Sequence, residues 1–292
     1  SRLFMSYYNF PMYYGMGFYI VLSIVVFYLF VKIASLKYGL LNTLANTKSS
    51  YANDKVSYER KSVFFALYQK ELGRFLSSYM AVLNAGLGVI LLCVFSICFL
   101  FNSVGQIGNS AGIENINEYL SNLAPVFIAS MLSLSCPAAS SISLEGKNIW
   151  ILKSSPVEVK TILNAKIAVN LTLHLIGYMI SVSVFMLKLD MSPIQVMNLV
   201  IVPICYSLFI MVIGISLNKK YPNYDWDSEM IVVKQSLPVI VTGIIAMITL
   251  IMPILLNWLF NFPIIFVLQA VSVILLAISF RVYIKMTKLN FI

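Results

Sequence analysis

Residues 235–280 read QSLPVIVTGIIAMITLIMPILLNWLFNFPIIFVLQAVSVILLAISF, and none of them is Asp, Glu, Lys or Arg. One membrane-spanning helix needs about 20 apolar residues to cross the roughly 30 Å hydrocarbon core of a bilayer. As a single helix this stretch would be about 69 Å long at 1.5 Å per residue, roughly twice that thickness. It is therefore predicted to be a hairpin of two spans, with its turn at 257–263, where two Asn and a Pro interrupt the apolar sequence.

The composition of the whole chain also indicates a membrane protein. Of the 292 residues, 60% are hydrophobic and 11% are charged, whereas soluble domains average about 45–50% and about 25%. This excludes a water-soluble fold, and it excludes disorder, which requires few apolar residues and many charges. The predicted class is an all-α polytopic membrane protein. Its charge-free runs predict about seven transmembrane helices, near residues 15–34, 80–101, 122–143, 167–187, 194–217, 236–256 and 264–283.

The distribution of Lys and Arg predicts the orientation of these spans. With the N-terminus of the chain outside and the C-terminus cytoplasmic, 18 of the 20 basic residues lie in cytoplasmic segments, and only Arg2 and Lys188 lie outside. This is the positive-inside pattern of a multi-pass protein integral to the cytoplasmic membrane. The net charge of +9 is thus explained by topology in a lipid bilayer, and no nucleic-acid partner is expected. The cytoplasmic segments are 32–79, 144–166, 218–235 and 281–292.

The segment before the second span is predicted to contain an amphipathic helix. Apolar and charged residues alternate there with helical period. Such a helix lies in the headgroup plane with its basic residues toward anionic lipid, or it packs as a cytosolic helix on other protein, and both alternatives stay open. The apolar positions are Phe64, Leu67, Tyr68, Leu72, Phe75 and Leu76, and the charged positions are Arg60, Lys61, Lys70, Glu71 and Arg74.

The segment 143–158 mixes charged with large apolar side chains. Ser155 and Glu158, with Pro156 between them, have the spacing of a capping box, which predicts that a helix begins at Pro156 and continues into the next span. A short helix or turn is predicted at 145–153. Exposed apolar residues on such an element favour a protein partner, and anchoring in the membrane interface is the alternative. The residues predicted to be exposed are Ile149, Trp150 and Leu152.

The segment 218–235 carries three acidic residues shortly before an apolar stretch. Asp225 and Asp227 have the spacing of a calcium loop, but no Gly follows at the sixth position and no Glu at the twelfth. Their predicted role is to cap the helix that enters the membrane at 236. No metal site is predicted, and the four Cys, all within predicted spans, are interpreted as free core thiols.

Three stretches together resemble the permeases of ABC-type exporters, and among them a bacterial group of double-length transmembrane permeases. The resemblance covers about residues 65–285 and matches the later half of such a chain. It implies a six-helix permease unit at 80–292, an extra transmembrane helix at 1–35 that ends a preceding half, and a cytoplasmic linker with an amphipathic interfacial helix at 36–79. The three stretches are YQKELGRFLSS…VLNAGLG (68–88), SISLEGKNIWILKSSPVEVKTILNAKI (141–167) and YPNYDWDSEMIVVKQS (221–236).

The resemblance also implies the partners of the chain. These are an ATP-binding cassette subunit, which carries ATP and Mg²⁺, and a second permease half or protomer, so no cofactor is expected in this chain. The segment 144–166 would be the principal coupling element that docks on the ATP-binding subunit, and 218–235 the second contact. The positions assigned to coupling are Glu145, Gly146, Lys147, Asn148, Trp150, Lys153, Pro156, Glu158, Tyr224, Asp225 and Trp226.

The sequence also bears on the energy source. It contains no GxxxxGK[ST] phosphate-binding loop, and none of the predicted spans contains Asp or Glu. ATP hydrolysis through such a loop and ion coupling through buried carboxylates are therefore both disfavoured. The chain is predicted not to be an enzyme, to have no catalytic residues, and to depend on an external ATPase.

Polar residues in two of the predicted spans are arranged in a way that bears on function. His174, the only His of the chain, shares a helix face with Lys166, Asn170, Gly177 and Ser181. Asn170, His174 and Ser181 are candidates for a substrate pathway, and the alternative is hydrogen bonding and close packing between helices. In the span 122–143, several Ser surround Pro137, which predicts a kinked helix that leads straight into the coupling segment.

The predicted function is that of the permease subunit of an ABC exporter, working by alternating access. Two alternatives stay open, namely a membrane-embedded enzyme that acts on lipid or peptide, and a structural or regulatory membrane subunit. The enzyme would need catalytic acids, a His pair or a metal set, yet the sequence contains neither HExxH nor a pair of Asp within a span. Product formation without ATP would indicate the enzyme, and substrate-stimulated ATPase activity would distinguish the permease from the structural subunit.

Overall fold

The computed structural model describes residues 62–105 and 115–288 and, before them, only positions 21, 24, 25, 27, 28, 31, 32 and 35. The chain divides into two compact units, Ser1–Arg60 and Lys61–Ile292. In the first unit the described positions are helical and exposed. The rest of the predicted span at 15–34 lies outside the described residues, as do the linker at 36–61 and the outer segment at 106–114.

Within 62–105 and 115–288, nine α-helices make up most of the second unit. Two 3₁₀ turns, Pro137–Ala139 and Ser143–Asn148, lie between α4 and α5, and a π-helical turn, Ile231–Gln235, precedes α8. No strand occurs among these residues. The helices are α1 (Val63–Ser77), α2 (Tyr79–Ala85), α3 (Leu87–Phe101), α4 (Ile116–Ser133), α5 (Ile149–Ser154), α6 (Val159–Lys188), α7 (Pro193–Lys220), α8 (Leu237–Phe260) and α9 (Ile264–Lys288).

Several of these helices have the length and apolar character of membrane spans. In the described part of the chain five stretches qualify, and the pair α2 and α3, taken as one bent span, would make six. The chain is thus a polytopic helical membrane protein. The five stretches are Ile116–Ser154, Val159–Lys188, Pro193–Lys220, Ile231–Phe260 and Ile264–Lys288.

The charge-free stretch at the C-terminal end forms the predicted hairpin, α8 and α9. α8 ends at Phe260, and Asn261 follows in the left-handed conformation with φ 52°, which Asn adopts more readily than most residues that carry a Cβ. The Asn257 amide Nδ2 donates to the Phe262 carbonyl at 2.6 Å and closes the turn. The two Asn that mark the turn in the sequence therefore make it in the structure.

The second predicted span, 80–101, is two helices instead of one. α2 and α3 meet at Gly86 with a bend of 60°. The Gly86 N–H donates to the Val82 carbonyl at 3.0 Å and so completes the last turn of α2. A Cβ at position 86 would lie 2.5 Å from that same carbonyl oxygen, so this bend requires glycine.

The third predicted span, 122–143, is broken rather than kinked. α4 ends at Ser133, Cys136 leaves the helical conformation (φ −132°, ψ 74°), and Pro137 begins a 3₁₀ turn. Proline has no N–H to continue the helical ladder. The prediction of one helix that leads straight into the coupling segment was wrong, because neighbouring side chains hydrogen-bond the backbone freed by the break.

The start of α6 also differs from the prediction. α6 begins at Val159 instead of Pro156. Ser155 Oγ accepts from the Val157 N–H at 3.2 Å, so its hydroxyl turns the chain locally and does not reach the backbone of Glu158. Glu158 is the N-cap residue, and its side chain makes no capping hydrogen bond. The predicted capping box therefore does not form at these residues.

α7 is the central helix of the described part of the second unit. It packs on α4, α6, α8 and α9, and its Tyr206, Ile210 and Ile215 are almost completely buried. α8, in contrast, exposes apolar side chains along most of its length, as expected for a helix that faces lipid. α3 and α6 approach closely where Gly177 leaves room for Val89 and Leu92 of α3.

The close approach of α3 and α4 at Gly88 predicts that a larger residue at this position lowers the stability of the protein. A Cβ at Gly88 of α3 would lie 2.0 Å from the Met131 carbonyl oxygen of α4. We expect Gly88→Ala to destabilise the protein by about 1–3 kcal/mol, because the two backbones must separate. The measurement is thermal unfolding in detergent. Gly243→Ala is the control, since nothing lies within 4 Å of a Cβ added there, and equal melting temperatures of the two variants would contradict this close contact.

Candidate functional site

Two segments at one end of the bundle join into a single surface. They are residues 137–158, between α4 and α6, and residues 218–236, from the end of α7 to the start of α8. We refer to them as the loop pair. Both contain positions that the sequence assigns to coupling, and both carry buried polar side chains, so their contacts decide whether they move separately or together.

Asn218, in the last turn of α7, holds the first segment in place. It is fully buried. Its Oδ1 accepts from the Ile142 N–H at 2.7 Å and from the Ser143 N–H at 3.1 Å, and its Nδ2 donates to Ser143 Oγ at 2.7 Å. The same hydroxyl oxygen accepts from the Asn223 N–H at 2.9 Å. Ser143 is therefore the residue at which the two segments are tied together.

Trp226 lies over the first segment and closes the junction. Its indole Nε1 donates to the Ser143 carbonyl at 2.9 Å, and its ring lies against Gly146. Gly146 has φ 56° and ψ −140°, a conformation that residues with a Cβ rarely adopt. A Cβ there would also lie 3.3 Å from the Trp226 ring. Glycine is thus needed at 146 both for its backbone conformation and for the indole above it.

Charged groups also connect the two segments, but near solvent. Lys147 Nζ lies 3.5 Å from Asp225 Oδ1, and both side chains are largely exposed. Lys153 Nζ lies 5.9 Å from the centre of the Tyr224 ring. Exposed contacts of this kind stabilise a protein only weakly. The buried hydrogen bonds of Asn218 and Trp226 therefore dominate the junction.

The short helix α5 presents some of the predicted apolar residues and buries others. Trp150 is 63% exposed, as predicted, whereas Ile149 and Leu152 are buried, and that part of the prediction was wrong. Both pack into a cluster with Ile162, Leu163 and other residues of α6, α7 and α9. The remaining positions assigned to coupling divide by exposure: Lys147, Asn148, Lys153, Pro156, Glu158 and Asp225 are exposed, Tyr224 and Trp226 are half-buried, and Glu145 and Gly146 are buried.

Glu145 belongs to a group of five charged residues that we call the ion cluster: Lys70, Glu71, Arg74, Glu145 and Lys166. Lys166 Nζ, whose side chain is 0% exposed, lies 2.8 Å from Glu71 Oε1 and 2.8 Å from Glu145 Oε1. Arg74 Nη1 lies 2.9 Å from Glu145 Oε2, and Arg74 Nη2 donates to Glu71. Lys70 Nζ lies 3.2 Å from Glu145 Oε2. The cluster therefore connects α1, the loop pair and α6.

The backbone contributes to the ion cluster as well. Lys166 Nζ donates to the Ser141 carbonyl at 3.0 Å, and Arg74 Nη2 donates to the same oxygen at 2.9 Å. α1 packs on α6 with Glu71 and Phe75 buried. The side of α1 that carries Glu71 and Arg74 thus contacts this protein itself.

The electrostatics of the cluster keep Glu145 ionised. Burial alone would raise the pKa of this carboxyl, but the charges of Lys166 and Arg74 outweigh burial and hold the pKa of Glu145 well below its ordinary value. Two carboxylates face three cations, so the group as a whole carries one excess positive charge. A buried group of this kind tolerates the loss of one member poorly, since a charge then remains without its partner.

Polar side chains of α6 make hydrogen bonds to the backbone at the break after α4. Asn170 Oδ1 accepts from the Ala138 N–H at 3.1 Å. His174 Nε2 contacts the Ser135 carbonyl and lies 3.0 Å from Asn170 Nδ2, and His174 Nδ1 lies 2.7 Å from Ser207 Oγ. Asn170, His174 and Ser207 are all buried. These are the interhelical hydrogen bonds of the alternative interpretation.

A role of the same α6 face in a substrate pathway stays a prediction. Ser181 Oγ donates to the Gly177 carbonyl of its own helix at 2.8 Å. Ser181, Asn170 and His174 are each less than 2% exposed. In this conformation their polar atoms are therefore occupied by the protein.

Sequence reasoning missed the ion cluster and Asn218. It placed Lys166 at the start of the polar face of α6 and identified Glu71 and Arg74 as part of an amphipathic helix, but it did not bring them together. The available signal was the position of Lys166. It lies in the last turn before a predicted span, and two acidic residues lie at the same membrane depth in neighbouring segments. For Asn218 no comparable signal exists, because an Asn at the end of a helix is common.

Comparison with known proteins gives one finding. A family model described as "Putative ATP-binding cassette" matches residues 122–288, more than half of the chain. The match runs from within α4 to the end of α9 and includes the loop pair and Lys166. None of the curated proteins and none of the solved structures matches the chain.

The junction at Asn218 predicts a local destabilisation. Asn218→Ala removes the acceptor of the Ile142 and Ser143 N–H groups and leaves both buried without a partner. It also removes one of the two donors to Ser143 Oγ. We expect a loss of about 1–3 kcal/mol per unsatisfied group, with faster proteolysis within 137–158. Asn148→Ala, at an exposed position of the same segment, is the control. If both variants were equally resistant to protease, Asn218 would not hold the segment 137–158 in place.

The lowered pKa of Glu145 predicts a pH dependence of stability. Because the folded-state pKa lies below the ordinary value of 4.5, the stabilisation by the ionised carboxylate is complete above about pH 4.5 and declines below it. We expect the difference in melting temperature between the unmodified protein and Glu145→Gln to be constant from pH 7 to 5 and to shrink below pH 4.5. The decline is at most about 1.4 kcal/mol per pH unit. A difference that grows with acidification would contradict the ion cluster.

Proposed function

The chain belongs to this ABC-related family, and from that premise we propose that it is the membrane-spanning permease subunit of an ATP-driven exporter. A separate ATP-binding subunit docks on the loop pair and hydrolyses ATP. The family description refers to an ATP-binding cassette, but this chain has no GxxxxGK[ST] loop, and the matched residues form mostly apolar helices. The ATP-binding part of the system is therefore assigned to another polypeptide.

The observation that carries this proposal is the exposure of Trp150, a large apolar side chain on a helix that is itself anchored in the core. Trp150 is 63% exposed and Ile151 is 52% exposed, while Ile149 and Leu152 of the same short helix are buried. α5 is thus fixed by two side chains and presents the other two. An exposed Trp on a rigid element is typical of the anchor of a protein interface.

The exposed residues of the loop pair carry both positive and negative charges, which supports a protein as the partner. Lys147 and Glu158, close to Trp150 in the sequence, are exposed, and so is Asp225 of the second segment, which pairs with Lys147. A polar rim around an apolar centre is the usual arrangement of a protein interface. The second segment of the loop pair adds the exposed Tyr221 and Met230, so the docking surface has contributions from both segments.

The mechanism follows from the way the loop pair is attached. ATP binding closes the paired ATP-binding subunits, and the docked loop pair moves as one body because Asn218 and Trp226 tie its segments. The first segment continues into α6, and the second begins in α7. Movement of the loop pair therefore rearranges the spans, and the substrate site opens alternately to the two sides of the membrane.

Removal of the apolar anchor tests the docking surface. We expect Trp150→Ala to weaken binding of the ATP-binding subunit at least about 30-fold, because a truncated anchor residue costs about 2 kcal/mol or more. The measurement is the affinity between the purified chain and an ATP-binding subunit that co-purifies with it. Tyr119→Ala is the control, since this aromatic residue is also exposed but lies at the start of α4. Unchanged affinity of Trp150→Ala would support interfacial anchoring and contradict docking at α5.

ATPase measurements separate the exporter from the other functions. The purified chain is expected to hydrolyse no ATP, and the complex with the ATP-binding subunit is expected to hydrolyse ATP. Hydrolysis by the chain alone would contradict the proposal. Product formation from a lipid or peptide without ATP would indicate a membrane-embedded enzyme instead.

A further inference from the structure

We propose that Lys166 is a positioning residue that locks α1 to the loop pair, so that α1 moves with the docking surface and carries α2 with it. This inference rests on the proposed function and extends it to a helix outside the matched family region. It makes α1 a working part of the coupling machinery instead of a passive lead-in to the membrane.

The first support is the geometry of Lys166. Its ammonium group donates three hydrogen bonds. One goes to Glu71 Oε1 on α1 at 2.8 Å, and the other two go to the loop pair, to Glu145 Oε1 at 2.8 Å and to the Ser141 carbonyl at 3.0 Å. An ammonium group has three donors, so all of them are used. Because the side chain is 0% exposed, none of the three hydrogen bonds is shared with water while the elements are in contact.

The second support is a separate contact between α1 and the other segment of the loop pair. Ser78, the residue between α1 and α2, donates through its Oγ to Glu229 of the second segment. The same Oγ accepts from the Ala81 N–H at 3.1 Å and caps α2. The π-helical turn after Glu229 packs on α2. α1 is therefore held by both segments of the loop pair, at its middle and at its end.

The consequence for movement follows from burial. Separation of α1 from the loop pair would leave Glu71, Glu145 or Lys166 buried and charged without a partner, which is strongly unfavourable. A displacement of the loop pair is thus expected to take α1 along, and α2 follows because only Ser78 separates the two helices.

A double substitution separates this role from a structural one. Glu145→Gln together with Lys166→Met removes one charge of each sign, so the excess charge of the ion cluster stays at one, with Glu71 and Arg74 still paired. Replacement of both partners of a buried pair is tolerated far better than loss of one. We expect this variant to fold and to elute like the unmodified protein, yet to hold α1 to the loop pair less tightly, since only contacts such as those of Arg74 with Ser141 and of Ser78 with Glu229 remain.

The measurement is the distance between spin labels at positions 73 and 154. A Cβ at Gly73 meets nothing within 4 Å, and Ser154 is exposed on α5; both are changed to Cys after the four native Cys are replaced by Ala. In the chain without partner we expect one narrow distance distribution, and its loss, as broadening or a shift, in the double variant. Lys147→Met with Asp225→Asn, which removes an exposed pair, is the matched control and should keep the narrow distribution.

The complex with the ATP-binding subunit gives the decisive comparison. A second label pair at positions 154 and 258, the latter the exposed Trp258 at the far end of α8, reports whether the loop pair moves when ATP and Mg²⁺ are added. In the unmodified complex we expect the 154–258 distance to change and the 73–154 distance to stay constant. In the double variant we expect the 154–258 distance to change as before, while the 73–154 distance no longer stays constant. A constant 73–154 distance in the double variant would overturn this inference alone. An unmodified chain that fails to bind the subunit would overturn the proposed function as well.

Discussion

A helix that breaks inside a membrane protein leaves backbone groups that water cannot reach, and the fold of this chain depends on how they are satisfied. The break lies between the end of α4 at Ser133 and the turn that begins at Pro137. α6 supplies the partners, through Asn170 to the Ala138 N–H and through His174 to the Ser135 carbonyl. Without them the chain could not leave the bundle at this depth, and the segment that carries α5 would have to begin elsewhere.

One face of α6 thus organises both the interior and the end of the bundle. Lys166, Asn170 and His174 follow one another at intervals of four residues and lie on the same side of the helix. Lys166 fixes α1 and the loop pair, while the other two fix the break that leads into the loop pair. The position of the loop pair therefore depends on this face of α6 as well as on Asn218 of α7, and changes along the face would alter the fold of the break and of the loop pair together.

The sequence was sufficient for the features that depend on length and polarity. The hairpin α8–α9 and the other long spans follow from charge-free runs, because bilayer thickness limits how many residues one helix can use. The break at Pro137 was out of reach, since Pro is compatible with a kink and with a break, and the outcome depends on partners 32 and 39 residues away. The burial of Ile149 and Leu152 and the pairing of Glu71 with Lys166 likewise depend on tertiary contacts. A helical pattern shows which residues share a face, but not what that face meets.

The contacts that hold the first segment of the loop pair mostly end on its main chain. Arg74 and Lys166 donate to the Ser141 carbonyl, Trp226 donates to the Ser143 carbonyl, and Asn218 accepts from the Ile142 and Ser143 amides. A carbonyl or an amide is present whatever the side chain, so residues such as Ser141 are free to vary in evolution as long as the donors and Gly146 are kept. In related chains, selection should therefore act on distant positions in α1, α6 and α7 more strongly than on the side chain at position 141, whose carbonyl they bind.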